Sequence, residues 1–354
     1  MRKYYTRACN FYYGIKAKKL IKKKLALPLC GNQNIAFDNI EILSRDKKKK
    51  LINIKNIKKL PNQIKKTVNK DLKKIVLKRK NLNKYSNISE PLIMGILNLT
   101  PDSFSDGGLY IQFKNAFRHT NNMISKGADI IDIGGESTRP GSKDIPHSVE
   151  WKRLEKIIIN FKKKFPKIFL SIDTRKSEIM LKAIKYKIDL VNDVSGFSYD
   201  QKALDKIKHY NVWKVLHHMQ GTPNTMQIKP SYKNVLLDIY DFFEKRINTD
   251  FKKFKYKKFI IDPGIGFGKN LEHNLILMHN ISLFHSLGFP LLIGTSRKRF
   301  IKQISRGFDS KERIGGTLAS VLYTLQQGVQ IFRVHNVHEV KQAILVFKKI
   351  ISIK

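Results

Sequence analysis

Cysteine is nearly absent from this chain of 354 residues, which has only Cys9 and Cys30. Two cysteines are too few for the disulfide framework of a small secreted domain, so a reducing compartment is the simpler expectation. Long apolar runs are also missing, and none approaches the roughly 18 residues that a membrane-spanning helix needs. With 42% apolar residues, the chain can bury a sizeable core, as one large domain with an appendage or as two domains.

Acidic residues are scarce as well, since 28 Asp and Glu stand against 69 Lys and Arg, for a formal net charge of +41. The surplus is densest in residues 1–90, which hold 26 basic and 5 acidic residues, whereas residues 91–354 hold 43 and 23. A nucleic-acid or other polyanionic partner would explain such a charge. However, the surplus continues through the whole chain, as compositional drift toward Lys, Asn and Ile would produce, so a nucleic-acid partner is not expected.

The N-terminal region lacks the compact apolar segment of a secretory signal, and it has no acidic residue before Asp38. Without a secretory signal, we expect a cytoplasmic protein. Location in an organelle is the alternative, because the basic and aromatic composition is shared in part with organelle transit peptides. We also expect a short basic helix around residues 12–24 and a small β element in residues 25–54, closing the bottom of a barrel. Residues 55–84 favour a solvated helix or disorder.

From residue 91 onward, short apolar runs alternate with stretches long enough for helices. The eight runs are residues 92–98, 129–134, 168–173, 189–193, 212–217, 258–262, 290–295 and 329–334. Apolar runs of this length are typical of parallel strands buried on both faces. Eight strand–helix units predict an α/β fold, a (β/α)8 TIM barrel over residues 91–354 behind a basic extension of residues 1–90. A doubly wound open sheet is the alternative.

Each apolar run ends in polar or glycine-rich residues, where barrels of this kind place their chemistry. These ends are Asn98, residues 134–141, Asp173, residues 192–193, residues 217–221, residues 262–270, residues 294–298 and residues 333–335. The barrel prediction brings all of them to one end of the fold. We call that end, where the barrel strands terminate, the mouth.

The first of these ends is also the most distinctive, because residues 92–108 read LIMGILNLTPDSFSDGG. This segment resembles the signature of the dihydropteroate synthase family. Further motifs extend the resemblance over about residues 91–354: ESTRPG at 136–141, SIDT at 171–174, ND at 192–193, HMQG at 218–221, DPGIGFGKN at 262–270 and SRK at 296–298. The resemblance implies a transferase that condenses 6-hydroxymethyl-7,8-dihydropterin pyrophosphate with p-aminobenzoate, giving 7,8-dihydropteroate and pyrophosphate in folate biosynthesis. It also implies a homodimer that sulfonamides inhibit.

A pterin ring presents adjacent N–H donors, which a buried carboxylate can accept in parallel. The resemblance assigns the pterin to Asp173, Asn192, Met219, Asp262, Phe267 and Lys298. In this assignment Asp262 accepts the paired bonds and Lys298 donates to the pterin oxygen and a ring nitrogen. Phe267 and Met219 would pack on the ring faces.

The pyrophosphate end needs cations, N–H donors and usually Mg²⁺. The resemblance implies pyrophosphate contacts from Asn98, Arg139, Arg333 and His335, and a Mg²⁺ site at Asn98 and Asp102. The expected p-aminobenzoate pocket is lined by Phe104, Thr138, Arg139, Pro140 and Ser296. The catalytic set would be Asn98, Asp102, Arg139, Lys298, Arg333 and His335. These residues position the reactants and stabilise the leaving anion, and no covalent nucleophile is required.

Two other functions fit parts of the pattern. A pterin-binding barrel that transfers a methyl group to a corrinoid would share carboxylates such as Asp173 and Asp262. It would not need the loops at 100–108 and 136–141 or the pair Arg333 and His335. A polyanion-binding protein with an inactive barrel would not be expected to keep every one of these motif residues.

Overall fold

The structure is a computed structural model, and it describes residues 2–100, 109–137, 142–306 and 309–353. The N-terminal part contains β1 (Tyr5–Tyr13), α1 (Gly14–Lys22), β2 (Leu27–Leu29), β3 (Asn32–Leu43), β4 (Lys50–Asn53) and α2 (Asn62–Val76). The four strands form one antiparallel sheet in which β3 pairs with each of the other three. The expected basic helix and β element are both present.

The helix α2 resolves the choice left open for residues 55–84, since it is ordered and buries Val68 and Ile75 on one face. A 3₁₀ turn, Ile54–Lys59, leads into it. The strand β1 was not predicted.

The N-terminal sheet is joined to the barrel by aromatic packing and ion pairs. The ring of Tyr5 lies edge-on to that of Tyr240, with centroids 5.2 Å apart. Arg45 donates to Asp238 at 2.6 Å and to Asp241 at 2.7 Å. These contacts, and those of β1 and α2 with the 3₁₀ segment Ile281–Leu287, place the sheet against the helical layer of the barrel.

The bottom of the barrel is closed by the segment that follows the sheet, and not by the sheet as expected. Leu82 and Ile88 are buried in the lower interior of the barrel together with Trp213. The indole Nε1 of Trp213 donates to the backbone oxygen of Leu82 at 2.9 Å. Residues 77–91 therefore fill the end opposite the mouth.

Eight parallel strands form the barrel, each beside the next in sequence. They are β5 (Leu92–Asn98), β6 (Ile130–Gly134), β7 (Phe169–Asp173), β8 (Leu190–Asp193), β9 (Trp213–His217), β10 (Phe259–Asp262), β11 (Leu292–Ile293) and β12 (Ile331–Val334). A bridge between Ile261 and Leu291 joins β10 to the start of β11 and closes the circle. The predicted (β/α)8 barrel is confirmed, and every predicted run contains a strand.

The seventh run gives only a two-residue strand, although six residues were expected. Pro290 has no N–H to contribute to the ladder, and its carbonyl accepts from Ile261 N at 2.9 Å instead.

Nine helices follow the strands among the described residues. They are α3 (Leu109–Ser125), α4 (His147–Lys164), α5 (Ser177–Lys185), α6 (Ala203–Ile207), α7 (Val235–Asn248), α8 (Leu271–His279), α9 (Arg299–Ser305), α10 (Ile314–Gln326) and α11 (Val337–Ile351). Short 3₁₀ turns lie at Phe251–Lys253 and Ser310–Glu312. None of the helices in these ranges has the length and apolar character needed to cross a bilayer.

Alternation of side chains along the strands divides the barrel interior into an apolar floor and a polar mouth. The floor contains Leu92, Met94, Ile130, Phe169, Leu190, Trp213, Val215, Ile260, Leu292 and Ile331. Two residues further along six of these strands stand Asp132, Ser171, Asn192, His217, Asp262 and Arg333. The same register that buries the floor therefore aims these polar groups into the mouth.

Candidate active site

Arg333 reaches across the mouth from β12 to carboxylates on two other strands. Its Nε donates to Asp132 Oδ2 at 2.7 Å, and its Nη2 donates to Asp173 Oδ2 at 2.6 Å. Asp132 is fully buried and also accepts from Ser171 Oγ at 2.5 Å and Asn192 Nδ2 at 3.0 Å. Three predicted site residues (Asp173, Asn192 and Arg333) are thus linked through Asp132.

The second oxygen of the Asp173 carboxylate, Oδ1, is buried and has no hydrogen-bond partner among the described residues. Burial raises the pKa of Asp173, and the nearby Arg333 guanidinium opposes that rise. A buried acceptor left without a donor costs about 1–3 kcal/mol, so such a group in a cleft points to a ligand. Asp173 therefore offers one oxygen to Arg333 and one to whatever occupies the mouth.

Asp262 ends β10 and is held by the turn that follows it. Its Oδ1 accepts from the Gly264 backbone N–H at 2.8 Å. Burial raises the pKa of Asp262 to about 6, against the Gly264 hydrogen bond and the charges of Lys298 and Lys269. At neutral pH the carboxylate is therefore mostly ionised, which is the form that accepts two hydrogen bonds.

Lys298 and Phe267 meet at the same side of the mouth. The Lys298 Nζ lies 4.0 Å from the centroid of the Phe267 ring, a cation–π distance. The ring of His217 stands edge-on to Phe267, with centroids 4.6 Å apart. Burial, followed by the charge of Arg333, lowers the pKa of Lys298 to about 8, while Asp262 and Asp173 oppose the shift. Lys298 is accordingly a cation at neutral pH.

The glycines of residues 262–270 allow this loop to fold back onto the end of β9. Gly264 has φ +71°, and a Cβ there would lie 2.0 Å from the His218 carbonyl oxygen. Gly268 has φ +62°, and its Cβ would lie 2.4 Å from the Gln220 carbonyl oxygen. Asn270 caps α8 by accepting from His273 N. The glycine pattern thus serves the close approach of two loops rather than a phosphate-binding turn.

Lys269 points away from the mouth and ties this loop down. Its Nζ is buried and donates to the backbone oxygens of Phe267 at 2.8 Å and His218 at 3.3 Å. It also lies 3.0 Å from His218 Nδ1. His217 and His218 face opposite sides of β9, as adjacent strand residues do, so they form no metal pair.

Ser296 and His335 are in contact although they were assigned to different substrates. Ser296 Oγ lies 3.0 Å from His335 Nδ1 and accepts from the His335 backbone N–H at 3.2 Å. The hydroxyl can donate its own proton to Nδ1, which leaves the imidazole proton on Nε2. The predicted pyrophosphate and p-aminobenzoate regions therefore adjoin here.

Asn98 and Met219 also reach the mouth. Asn98 ends β5 opposite Gly134, in register with it, and is half-buried. The missing side chain of Gly134 leaves room for the Asn98 amide, whose Oδ1 would lie 3.7 Å from a Cβ at that position. Met219 lies two residues beyond β9 and is half-buried.

Five predicted site residues lie outside the described residues, namely Asp102, Phe104, Thr138, Arg139 and Pro140. The remaining ten all stand at the mouth end of the strands, and they are Asn98, Asp173, Asn192, Met219, Asp262, Phe267, Ser296, Lys298, Arg333 and His335. Within the described residues, no group of three or more His, Cys, Asp or Glu side chains is arranged to hold a metal ion.

A buried ionic network flanks residues 138–141. Glu136 accepts from Arg175 Nη2 at 2.8 Å and Lys176 Nζ at 2.7 Å. Arg175 Nη2 also donates to Asp144 at 2.9 Å, and the backbone N–H of Ile145 donates to Glu136 at 3.1 Å. The described residues on either side of 138–141 are thereby held by the turn that precedes α5.

Asp132 was missed in the sequence, although a signal was present. It is an acidic residue inside the apolar strand IIDIG, and a buried charge must be paired with a cation or hydrogen-bond donors. The Arg175 network gave no comparable signal, because each member occurs in a polar stretch where solvation is the ordinary expectation.

Comparison with known proteins supports the same chemistry. A family described as pterin binding enzyme matches residues 94–335. The dihydropteroate synthase of Escherichia coli strain K12 is 39% identical over 268 residues, which is 75% of this chain and 94% of the relative. The chain belongs to the dihydropteroate synthase family. Its activity is that of a dihydropteroate synthase, a transferase that makes 7,8-dihydropteroate.

Solved dihydropteroate synthases share the fold as well as the sequence. The Yersinia pestis dihydropteroate synthase, solved in complex with a sulfonamide drug, has a TM-score of 0.70 and 36% identity, covering 75% of this chain and 96% of that one. The Xanthomonas albilineans dihydropteroate synthase, solved with 4-aminobenzoic acid, has a TM-score of 0.70 and 34% identity, covering 75% and 95%. These overlaps span most of each solved synthase and about three quarters of this chain.

Proposed function

We propose that the mouth binds the pterin deep between Asp173, Asn192, Asp262 and Lys298, with the pyrophosphate and p-aminobenzoate nearer the rim. The buried, unpartnered Oδ1 of Asp173 carries this proposal. An aminopyrimidine edge supplies an N–H donor for this oxygen and further donors for the carboxylate of Asp262. Asn192 donates its Nδ2 to Asp132 at 3.0 Å, so its amide oxygen is the atom we assign to the pterin as a further acceptor.

The ring faces and the pterin oxygen have partners in the same place. Phe267 offers a ring face beside His217, and Met219 offers an adaptable apolar surface. Lys298 supplies a cationic donor above Phe267. A positive charge next to the pterin carbonyl favours binding of the ring in the orientation that leaves its exocyclic methylene pointing outward.

The pyrophosphate is assigned to Asn98, Arg139, Arg333 and His335. Arg333 already donates Nε and Nη2 to Asp132 and Asp173, so its main effect on the leaving group is through its charge. His335, with Nδ1 against Ser296 Oγ, can present Nε2–H as a donor to a phosphate oxygen. In this proposal, donors held in place around the leaving group favour the departure of pyrophosphate.

Mg²⁺ is proposed as the cofactor, with Asn98 and Asp102 as its protein ligands. An amide oxygen at the rim suits this hard cation, which usually takes only one or two protein ligands, with the rest from water and substrate phosphates. When bound, the ion would neutralise charge on the departing pyrophosphate. The protein's own contribution is to position the p-aminobenzoate nitrogen near the pterin methylene, in a pocket formed with Phe104, Thr138, Pro140 and Ser296.

A homodimer is proposed through the faces of α8, α9 and α10. These helices border an apolar groove of about 590 Å³, around which Leu275, Ile304 and Tyr323 are 42%, 56% and 44% exposed. Contiguous exposed apolar surface of this kind marks interaction sites. Ile304→Glu should shift the protein toward the monomer in light scattering, whereas Leu51→Glu, a 62% exposed control on β4, should not. A monomeric wild-type protein would contradict the proposal.

A cytoplasmic location is proposed from the two free thiols, Cys9 and Cys30, since reducing compartments keep thiols free. A fluorescent fusion that co-localises with an organelle marker would contradict this location.

The activity is tested by incubating the purified protein with dihydropterin pyrophosphate, p-aminobenzoate and Mg²⁺ and measuring dihydropteroate by mass. Product that is lost on chelation of Mg²⁺ and on addition of a sulfonamide supports the whole assignment. Product that persists with a chelator would remove Mg²⁺ from it. Pterin binding without product would favour the methyl-transfer alternative.

A further inference from the structure

A small cavity lies at the end of the barrel opposite the mouth, where the N-terminal sheet meets the barrel. It has a volume of about 30 Å³ and is formed by residues 29–35, Arg79, residues 88–91 and residues 325–330. We call it the basal cavity. A cavity needs roughly 10–15 Å³ to hold one water molecule, so this one has room for a molecule of one or two heavy atoms.

A thiol and an imidazole are paired beside this cavity. Cys30 Sγ lies 3.3 Å from Nδ1 of His285, and both side chains are buried. The other imidazole nitrogen, Nε2, lies 2.8 Å from the carbonyl oxygen of Gln327. Because a carbonyl only accepts, Nε2 carries the proton and Nδ1 accepts the S–H of Cys30. Transfer of that proton to Nδ1 gives a thiolate next to an imidazolium.

A guanidinium completes the site. Arg79 is 3% exposed and lines the basal cavity with Cys30. Its Nη1 donates to the backbone oxygens of Lys74 and Leu77, and its Nη2 donates to that of His285 at 2.8 Å. Its Nε is buried and has no partner among the described residues. Arg79 thus brings a buried positive charge, with one N–H donor unused, to the wall of the basal cavity, and such a charge favours a small molecule with an acceptor oxygen.

The pKa values of the two cysteine thiols are shifted in opposite directions, and the shift for Cys30 agrees with its contacts to His285 and Arg79. Burial alone would raise the pKa of Cys30, but His285, Arg79 and a hydrogen bond from Gln330 lower it to about 7. The other charged residue lining the cavity is Glu90, which is paired with Lys348. For Cys9, burial raises the pKa of the thiol. Only the first cysteine is therefore a thiolate to a large extent at neutral pH.

We propose that Cys30, His285 and Arg79 form an oxidation site that takes small hydroperoxides, separate from the mouth. The Cys30 thiolate attacks one peroxide oxygen, the O–O bond breaks, and an S–O bond forms. The departing hydroxide takes the proton that His285 received from the thiol, and the positive charge of Arg79 stabilises the charge on that oxygen. Sulfur loses two electrons and the peroxide gains them, so thiol and hydrogen peroxide become sulfenic acid and water.

The size of the basal cavity makes the site selective. Hydrogen peroxide has two heavy atoms and fits into about 30 Å³, whereas an aromatic disulfide does not. Oxidation adds an oxygen where Sγ now meets Nδ1 of His285, so it breaks the contact between β2–β3 and the barrel. The oxidised protein should therefore unfold at a lower temperature than the reduced protein.

The test compares the two cysteines within the wild-type protein. The protein is treated with hydrogen peroxide from pH 5 to pH 9, and the oxygen atoms gained by each cysteine peptide are counted by mass spectrometry. Cys30 should be oxidised faster than Cys9 at neutral pH, with a half-maximal rate near pH 7, and faster than in the same protein unfolded in guanidinium. An aromatic disulfide reagent should modify Cys30 more slowly in the folded than in the unfolded protein.

Oxidation of Cys9 first, or an equal rate for Cys30 in folded and unfolded protein, would overturn the proposal. So would rapid attack by the aromatic disulfide, because an open thiol would then be reacting. His285→Gln, which can still donate to Gln327 O but cannot accept a proton, should slow Cys30 oxidation about tenfold at pH 7. Cys9→Ser is the matched variant that should leave this rate unchanged.

Discussion

The Nη2 of Arg333 lies 2.6 Å from Oδ2 of Asp173. A cation assigned to the pyrophosphate thus fixes a carboxylate assigned to the pterin. Since Arg333 also donates to Asp132 at 2.7 Å, both of its partners are buried acids, and its geometry determines which oxygen of Asp173 is left for a ligand. We therefore expect binding of the pterin and departure of the pyrophosphate to be coupled through this side chain.

The first prediction concerns this coupling. Arg333→Lys keeps the charge but cannot span Asp132 and Asp173 with a planar fork. Loss of one charge-assisted bond, about 1.5–3 kcal/mol, should lower both pterin affinity and kcat by roughly 10–100-fold. Calorimetry and steady-state rates measure the two effects.

The control for that substitution is Arg45→Lys, which alters a comparable fork onto Asp238 and Asp241 outside the mouth. It should leave affinity and kcat unchanged. A rate for Arg333→Lys equal to that of wild type would remove Arg333 from the reaction.

The second prediction is that Asp262→Asn loses pterin affinity. The amide offers one acceptor oxygen and places an N–H donor where the pterin also donates, so we expect a loss of roughly 10–100-fold. Calorimetric titration with the pterin measures it. Asp205→Asn, an exposed acid on α6, is the control and should bind as wild type does; retained affinity in Asp262→Asn would contradict the pocket assignment.

The third prediction is a pH window for pterin binding. Burial raises the pKa of Asp262 to about 6 and lowers that of Lys298 to about 8. Burial also raises the pKa of Asp173, the other pterin acceptor, to about 7. The pterin needs both carboxylates ionised, and their charge is lost as the pH falls through 7 and then 6. It also needs the protonated amine, which is lost above pH 8. Affinity should be highest between about pH 7 and pH 8 and fall about tenfold per pH unit for each group that changes its charge.

Variants assign the two limbs of that profile. Asp262→Asn should make the acid limb less steep and leave the part due to Asp173, and Lys298→Arg should move the alkaline limb to higher pH. An affinity that stays constant from pH 5 to pH 9 would show that neither group binds the pterin in its charged form.

The fourth prediction compares two glycines. Gly264→Ala places a Cβ 2.0 Å from the His218 carbonyl at φ +71°, so the free energy of unfolding should fall by about 1–3 kcal/mol and pterin affinity should fall with it. Gly315→Ala, on α10, meets nothing within 4 Å and should stabilise by about 0.5–1 kcal/mol. Denaturant unfolding measures both, and equal effects would contradict the role of the loop contact.

Most of the barrel could be predicted from the sequence because its strands are buried on both faces and read as apolar runs. The mouth could be predicted from the residues that end those runs. Asp132 could not be placed by that rule, since it lies inside a run, two residues before the end. Its role depends on Arg333, which is distant in sequence, and only the closed barrel brings the two together.

The N-terminal sheet was harder to predict for a different reason. The strand β1 reads YTRACNFYY, with basic and polar residues among its aromatics, and its burial comes from surfaces far along the chain. Tyr5 packs on Tyr240, and Ser282 Oγ donates to the carbonyl oxygen of Ala8 at 3.0 Å. Local periodicity carries little information about such contacts.

The packing of Tyr5 against Tyr240 also means that β1 cannot dock until a much later part of the chain has been synthesised. The strand β1 leaves the ribosome well before its partner surface on α7 and residues 281–287, which is made about 230 residues later or more. At roughly 5–20 residues per second, the wait is on the order of 10–50 s. During that interval the basic, aromatic strand is exposed in the nascent chain, so this segment is where we expect chaperone binding.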